Sequence, residues 1–447
     1  MPRALLATLL ALLIAGPSPA AAEAPRNLIL MIADGAGYDH FRAASYHATG
    51  RADAQAVWRF PVQAALSTFP AGGHYDPELA WSSEAWLGHR VTDSAASITA
   101  LTTGVKTHNK RLCVGPDGER LTTITERLEA SGRATGVVSS VMFTHATPAG
   151  FAISHPARKE YAAIARKMLA ESAIDVIMGP GHPLFDDDGR RVRTPDYRLV
   201  GGHETWRALM AGELGADADA DGRPDPWTVV ESREAFVRLA GEGQPPTRVL
   251  GLPRVRETLQ EQRGGDARAD AFAVPLTAGI PTLAEMSRAA LNVLVRHDGG
   301  FGVMIEGGAV DWASHDAHAG RMIEEQRDFD LAVEAVIGWL DEQALWDQTL
   351  LIVTSDHECG HLCAPDGDGP IPAVTASARG EMPAMEFRTG KHTHALVPLF
   401  ARGPGADGLI ELADDRDPVR GPYLDSAELG GYLVDLVATH AGHAMAP

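Results

Sequence analysis

Short runs dense in aliphatic and β-branched residues recur along the chain, and each one stops at polar, ionisable residues. Residues 27–32 run into Asp34-Gly35-Ala36-Gly37, and 136–141 lead to His145 and Thr147. Residues 301–305 end at Glu306-Gly307-Gly308, and Thr349–Thr354 end at Asp356-His357. Residues 395–400 have the same character, with His392 and His394 just ahead of them. Bounded apolar runs of this length predict buried strands. Between them the apolar spacing turns helical, over Ser94–Thr103, 122–130, 162–172 and about 317–341.

Strands alternating with helices predict an α/β fold, with a large central, mostly parallel sheet covered by helices on both faces. In such a fold ligands bind outside the carboxyl ends of the strands. Four of the five predicted strands deliver acids, imidazoles or hydroxyls to that edge. The segment of about 179–278 breaks the rhythm, being rich in Gly, Pro, Asp and Arg. It reads as an insertion in a single catalytic domain spanning 23–447.

Ahead of the first strand, Arg3 precedes an Ala/Leu run to Gly16, and small residues follow from Ser18 to Ala22. That pattern predicts a secretory signal peptide over 1–22 and a periplasmic or secreted product. The apolar run is short for a bilayer span, and no later segment is long and apolar enough, so no membrane span is expected after its removal. With 45% hydrophobic and 22% charged residues over 447 positions, the composition is that of an ordinary globular protein. The net charge of −20 disfavours nucleic acid or an anionic membrane as a partner. A phosphate substrate stays open, because bound divalent cations reverse the sign locally. Of three cysteines, Cys359 and Cys363 form the only close pair. Export permits a bridge between them, and geometry decides whether one forms.

Three groups carry candidate chemistry. Ser94 opens a small-residue helix, where free backbone N–H groups and the helix dipole suit a bound phosphate, although a plain N-cap is the commoner role. Asp311 and His315 are four apart and share a helix face, with Glu306 at the end of the preceding strand. A carboxylate and an imidazole so placed suit a borderline metal such as zinc, while an acid at a solvated helix start needs none. Asp356-His357 and Asp34 are weak signals singly; together these residues load one sheet edge with the ligands a two-metal site requires.

The motifs then resemble a known family. Thr92-Asp93-Ser94-Ala95-Ala96-Ser97, followed by Thr103-Gly104-Val105-Lys106-Thr107 and Asn109, is similar to the nucleophile region of alkaline phosphatases. Asp34-Gly35-Ala36-Gly37, Glu306-Gly307-Gly308-Ala309-Val310-Asp311, Ser355-Asp356-His357 and His392-Thr393 resemble that family's metal motifs in order. The resemblance implies an alkaline phosphatase-like fold, a homodimer, and hydrolysis of small phosphate monoesters through a phosphoserine on Ser94. It implies one zinc ion on Asp311, His315 and His392, and a second on Asp34, Asp356 and His357. It also implies a magnesium ion on Asp34, Thr147 and Glu306, and Arg158 as the clamp on two phosphate oxygens.

Some positions depart from the family pattern. His145 stands where some bacterial members carry aspartate, and is expected to act behind the metal ligands, as a donor to a metal-bound water. Trp312 follows Asp311, where lysine or histidine is frequent, and Cys359 and His361 follow Asp356-His357. His394 competes with His392 as the terminal ligand, and its distance from the next strand favours His392. Outside the catalytic pattern, Asp217, Asp219, Asp221 and Asp225 alternate around Gly222, a spacing that resembles a calcium loop but also suits a solvated acidic turn. A phosphodiesterase or sulfatase is the enzymatic alternative, and a non-catalytic exported binding protein the other. The sulfatase Cys/Ser-x-Pro-x-Arg motif is absent around Ser94, and the Thr147/Glu306 pair favours a monoesterase.

Overall fold

A computed structural model describes residues 24–217, 222–241, 243–366 and 369–444. The stretch read as a signal peptide, 1–22, lies outside them, as do Asp219 and Asp221 of the acidic loop. Among the described residues the strands are, in chain order, β1 (Asn27–Ala33), β2 (Val62–Ser67), β3 (Ala134–Ser139), β4 (Val176–Met178), β5 (Thr228–Val230), β6 (Val249–Gly251), β7 (Phe301–Gly307) and β8 (Thr349–Thr354). Four two-residue strands follow, β9 (Glu358–Cys359), β10 (Leu362–Cys363), β11 (Glu386–Phe387) and β12 (His392–Thr393). The last are β13 (Val397–Arg402), β14 (Asp415–Asp417) and β15 (Gly421–Asp425).

Eleven of these build one sheet in the order β14-β15-β2-β13-β8-β1-β7-β3-β4-β6-β5. At its centre β1 lies between β7 and β8, parallel to both. The reason is legible in β1 itself. Leu28, Leu30 and Ile32 join one hydrophobic cluster, while Ile29, Met31 and Ala33 join the other. Successive side chains point to opposite faces, so a strand covered on both sides must be apolar at every position. The expected α/β architecture, mostly parallel and covered by helices, is what the chain adopts.

Two predicted strands shift in register. The run 136–141 becomes β3, because Ser140 and Val141 leave the sheet: Ser140 Oγ accepts from Gly308 N at 2.9 Å, and Val141 bridges to Thr258. The run 395–400 becomes β13, because Ala395 N is held by Thr393 Oγ1 at 3.2 Å. β13 also runs antiparallel to β8 and β2. Its leading end therefore meets the carboxyl edge of the parallel strands, which is how His392 arrives beside their acids. The segment of about 179–278 adds β5 and β6 to the sheet, parallel to each other and to β4.

The helices close the two faces. Ser94–Thr103 is capped by Asp93, whose Oδ1 accepts from Ala96 N at 2.9 Å, and it packs on the C-terminal helix Ser426–Ala444. On the other face the long helix Ala319–Gln343 buries Met322, Phe329, Val336 and Trp339. Phe329 lies where a Cβ on Gly307 would come within 2.9 Å, so this ring seats the end of β7 and with it Glu306. Replacing Phe329 by Ala leaves a cavity under that strand and should cost about 3–5 kcal/mol. A reduced denaturation midpoint with an unchanged slope in urea checks this.

Candidate active site

Each strand end contributes one element of the site. Asp34 follows β1 directly, and its N–H donates to Gly307 O at 3.2 Å, locking it to the end of β7. Gly35 then turns the chain with φ +79°, and a Cβ there would stand 2.7 Å from Asp311 Cα. Only glycine meets both demands, a left-handed backbone and near-contact with the neighbouring helix Ala309–His315. Glu306 is the penultimate residue of β7, and Asp356-His357 follow β8. His392 lies in β12, held opposite Cys359 of β9.

These placements converge. Ser94 Oγ lies 3.2 Å from His357 Nε2. That same nitrogen is 3.1 Å from Asp356 Oδ2 and 3.6 Å from Asp34 Oδ1. Thr147 Oγ1 donates to Asp34 Oδ2 at 3.3 Å, and Ser139 Oγ donates to Glu306 Oε2. Asp311 faces His315 Nε2 and His392 Nε2 at 3.4 Å each. Donor atoms fall into three groups at this edge, each spaced closely enough to hold one metal ion: Asp311, His315, Cys359 and His392; Asp34, Asp356 and His357; and Asp34, His145 and Glu306.

The electrostatics are strained without a cation. Asp34, Glu306, Asp356 and His357 are wholly buried. Burial lifts Asp34 to about 6, with the Asp311 charge adding. Burial and then the charge of Asp34 push Glu306 and Asp356 well above the carboxylate range. For Asp311 burial pulls the same way, yet the facing imidazoles of His315 and His392 outweigh it and hold the acid well below its usual range. Burial would lower His315, but Asp311 raises it to about 9. Asp34 Oδ1, Glu306 Oε1, Asp311 Oδ1, Asp356 Oδ2, His145 Nδ1 and His357 Nδ1 are buried without a hydrogen-bond partner.

The imidazoles are pre-set by the backbone. His315 Nδ1 meets Gly390 O at 2.8 Å and His392 Nδ1 meets Thr92 O at 2.7 Å. A carbonyl only accepts, so both rings carry a proton on Nδ1 and, when neutral, present bare Nε2 lone pairs. Those two Nε2 atoms stand 3.1 Å apart. Two lone pairs at that distance repel unless a proton or a metal lies between them.

Arg158 enters from a loop. Its guanidinium is held by Asp93 Oδ2 at 3.0 Å and by His145 Nε2 at 3.2 Å. Arginine only donates, so His145 accepts at Nε2 and carries its proton on Nδ1. Burial, with the Arg158 charge, lowers His145 to about 3 and keeps it neutral. Ser94, His145, Arg158, Asp311, Trp312, His315 and His392 line one cavity of about 250 Å³ together with Gln262 and Asp316.

Thus Ser94, Arg158, Asp34, Thr147, Glu306, Asp311, His315, Asp356, His357, His392 and His145 stand together around that edge. His394 points away, bonding His89 O at 2.6 Å and packing against Trp86 with the ring planes tilted by 32°. The Cys359–Cys363 bridge does not form: all three cysteines are free, and Cys359 Sγ instead lies 3.7 Å from Asp311 O. At the ends of the acidic loop, Asp217 Oδ2 accepts from Gly222 N at 2.9 Å. Ser139, Ser140, Gln262 and Asp316 were not foreseen. The two serines fall inside the run 136–141 read as a buried strand, and Gln262 lies in the segment of weak periodicity, so neither carried a signal.

An α/β sheet that loads one edge with ligand sets for metal ions, beside a serine at a helix start, defines a class: the metal-assisted hydrolases. The family model for alkaline phosphatase matches residues 25–369. Alkaline phosphatase of Escherichia fergusonii is 30% identical, over 88% of this chain and 84% of that protein. Alkaline phosphatase 3 of Bacillus subtilis is 28% identical over 75% of this chain, which spans only 61% of that relative's length. Alkaline phosphatase from the Antarctic bacterium TAB5 superposes with a TM-score of 0.63 at 22% identity, covering 93% of this chain and 99% of that one. A variant of the TAB5 enzyme holds magnesium in its M3 site. The chain belongs to the alkaline phosphatase family, whose members are phosphatases.

Because the Gly35 turn is pressed against Asp311, Gly35→Ala should destabilise the protein by more than about 1 kcal/mol. A lowered thermal midpoint relative to the parent chain is the measurement, and an unchanged midpoint would contradict the packing described.

Proposed function

We propose that this chain hydrolyses phosphate monoesters through a phosphoseryl intermediate on Ser94, with two zinc ions and one magnesium ion at the carboxyl edge. The observation that carries the reading is Ser94 Oγ, 3.2 Å from His357 Nε2, at the head of a helix and on the same cavity as Arg158. The unpartnered buried atoms support the metals. Asp311, His315 and His392 supply a mixed oxygen–nitrogen set that fits zinc, and Asp34, Asp356 and His357 supply another beside the serine. Asp34, Thr147 and Glu306 offer the oxygen-only set that magnesium prefers. His145, with its free Nδ1–H, is a donor toward that third ion's shell rather than an anionic ligand.

When bound, such ions lower the pKa of a coordinated hydroxyl and offset the charge that builds on the transferring phosphoryl group. The chain's own residues do the rest. Ser94 Oγ attacks phosphorus in line with the departing ester oxygen, forming the Ser94 O–P bond as the ester P–O bond breaks. Arg158 spans two non-bridging phosphate oxygens with its planar fork, and Asp93 and His145 fix the plane of that fork. Water then attacks the phosphoserine, returning the hydroxyl and releasing inorganic phosphate. The N-terminal basic, apolar and small-residue pattern supports work outside the cytoplasm on exported or extracellular esters, and the family resemblance supports a homodimer. Calcium in the loop around Asp217 and Asp225 has weaker support, since Asp217 is already engaged.

Turnover of p-nitrophenyl phosphate, lost on chelation and restored by zinc with magnesium, is the expected result. Preference for bis-p-nitrophenyl phosphate would replace this reading with a diesterase, and no turnover with metals restored would remove it. Ser94→Ala should lower kcat by roughly 10³-fold or more while metal content stays unchanged. Arg158→Ala should cost roughly 10- to 100-fold in kcat/KM, mostly through KM, with Arg158→Lys intermediate, because charge-assisted bonds contribute roughly 1.5–3 kcal/mol. Equal loss in the Lys and Ala variants would show that the fork geometry is irrelevant.

A further inference from the structure

A fourth group of possible ligands lies outside the sets above: Glu261, Asp316 and His318, whose donor atoms all fall within 4.8 Å of one another. Glu261 comes from the loop that follows the Val141–Thr258 bridge. Asp316 follows the helix Ala309–His315, and His318 immediately precedes the long helix Ala319–Gln343. The side chain of Glu261 is only 1% exposed, and its Oε1 faces His318 Nδ1 at 3.8 Å, beyond hydrogen-bond range. His318 Nδ1 is itself buried with no hydrogen-bond partner. The other Glu261 oxygen accepts from Gln262 Nε2 at 2.5 Å.

A carboxylate and an imidazole nitrogen, both withdrawn from water and facing without a bond, are a pair that lacks its third member. Among the described residues, the arginines nearby are committed elsewhere. Burial raises Glu261. Glu325 nearby is also wholly buried, has an unpartnered Oε1 and is pushed further up by the charges of Asp328 and Glu261. Arg263 is committed to Glu324 at 2.7 Å and to the carbonyls of Val274 and Pro275. Arg321 turns to the Arg263 and Gly264 carbonyls and stands 3.7 Å from Glu324.

We propose that Glu261, Asp316 and His318 bind an additional divalent cation, best matched by zinc, at the rim of the active-site cavity. One imidazole and two carboxylates are a borderline donor set, and the exposed Asp316 leaves a side open for water to complete a four-coordinate shell. The ion ties the 316–318 turn, where Ala317 sits at φ +54°, to the loop that carries Gln262. Asp316 and Gln262 both line the cavity, so this ion fixes that part of its wall without touching the phosphoryl group. The site stands or falls independently of the reaction assigned to Ser94.

Crystals of the full chain grown with zinc, measured on both sides of the zinc absorption edge, should show an anomalous peak between Glu261, Asp316 and His318. Metal analysis of zinc-saturated, desalted protein should give one zinc fewer per chain in Glu261→Gln and in His318→Ala than in the parent. Asp311→Asn, which alters a different ligand set, should keep the rim zinc and its anomalous peak. No peak at the rim, or equal zinc content in the parent and both rim variants, would overturn the proposal. Monoester turnover, assayed in parallel on the two rim variants, reports on the catalytic reading separately.

Discussion

Concentrated negative charge inside a folded protein is the condition around which the rest of this molecule is arranged. Two like unit charges about 4 Å apart repel by roughly 4 kcal/mol even at an effective dielectric near 20, and burial adds a desolvation cost. Here Asp34, Glu306 and Asp356 are fully withdrawn from solvent, and burial with mutual repulsion lifts all three above the usual carboxylate range. A soft scaffold would relax by turning one acid outward. This one does not, because the acids extend from three adjacent central strands, β7, β1 and β8, whose apolar residues are packed on both faces. The hydrophobic core holds the carboxylates in a geometry whose repulsion bound protons or cations relieve.

The same rigidity governs the groups around them. His315 and His392 have their Nδ1 atoms tied to the carbonyls of Gly390 and Thr92, so their remaining nitrogens are directed at Asp311 with no rotational freedom to spare. Asp93 serves two ends at once. One oxygen caps the helix that begins at Ser94, and the other holds the Arg158 guanidinium, so nucleophile and clamp are referenced to a single carboxylate. His145 then occupies the second side of that guanidinium and links it to the set containing Glu306. Under the reaction proposed here, these bonds set the angle between attacking oxygen and bound phosphate.

The rim group extends the logic outward. The long helix that seats Phe329 beneath β7 begins beside His318, and the preceding turn carries Asp316 onto the cavity wall. A cation at Glu261, Asp316 and His318 would connect the segment after β6 to the helix after β7, two parts of the chain that the sheet alone leaves apart. Charge inside the protein would then fasten the cavity wall as well as its floor.

Much of this was legible in the amino-acid order because fully buried parallel strands demand unbroken apolar runs, and ionisable residues interrupting them mark strand ends. Asp34, Glu306 and Asp356 were found that way, and the span Ser94–Thr103 matched its helix to the residue. Long colinear motifs resembling a family supplied the rest of the expected ligands. Local pattern carries no information about which side chain faces which across hundreds of residues. Only the antiparallel course of β13 and the pairing of β12 with β9 direct His392 inward, while His394 packs against Trp86. Likewise, only packing keeps Cys359 and Cys363 apart as free thiols, sets Ser139 on Glu306, and brings Glu261 to His318. Composition and periodicity determine which segments must be buried; the mutual orientation of their ends is settled when the two faces of the sheet are packed.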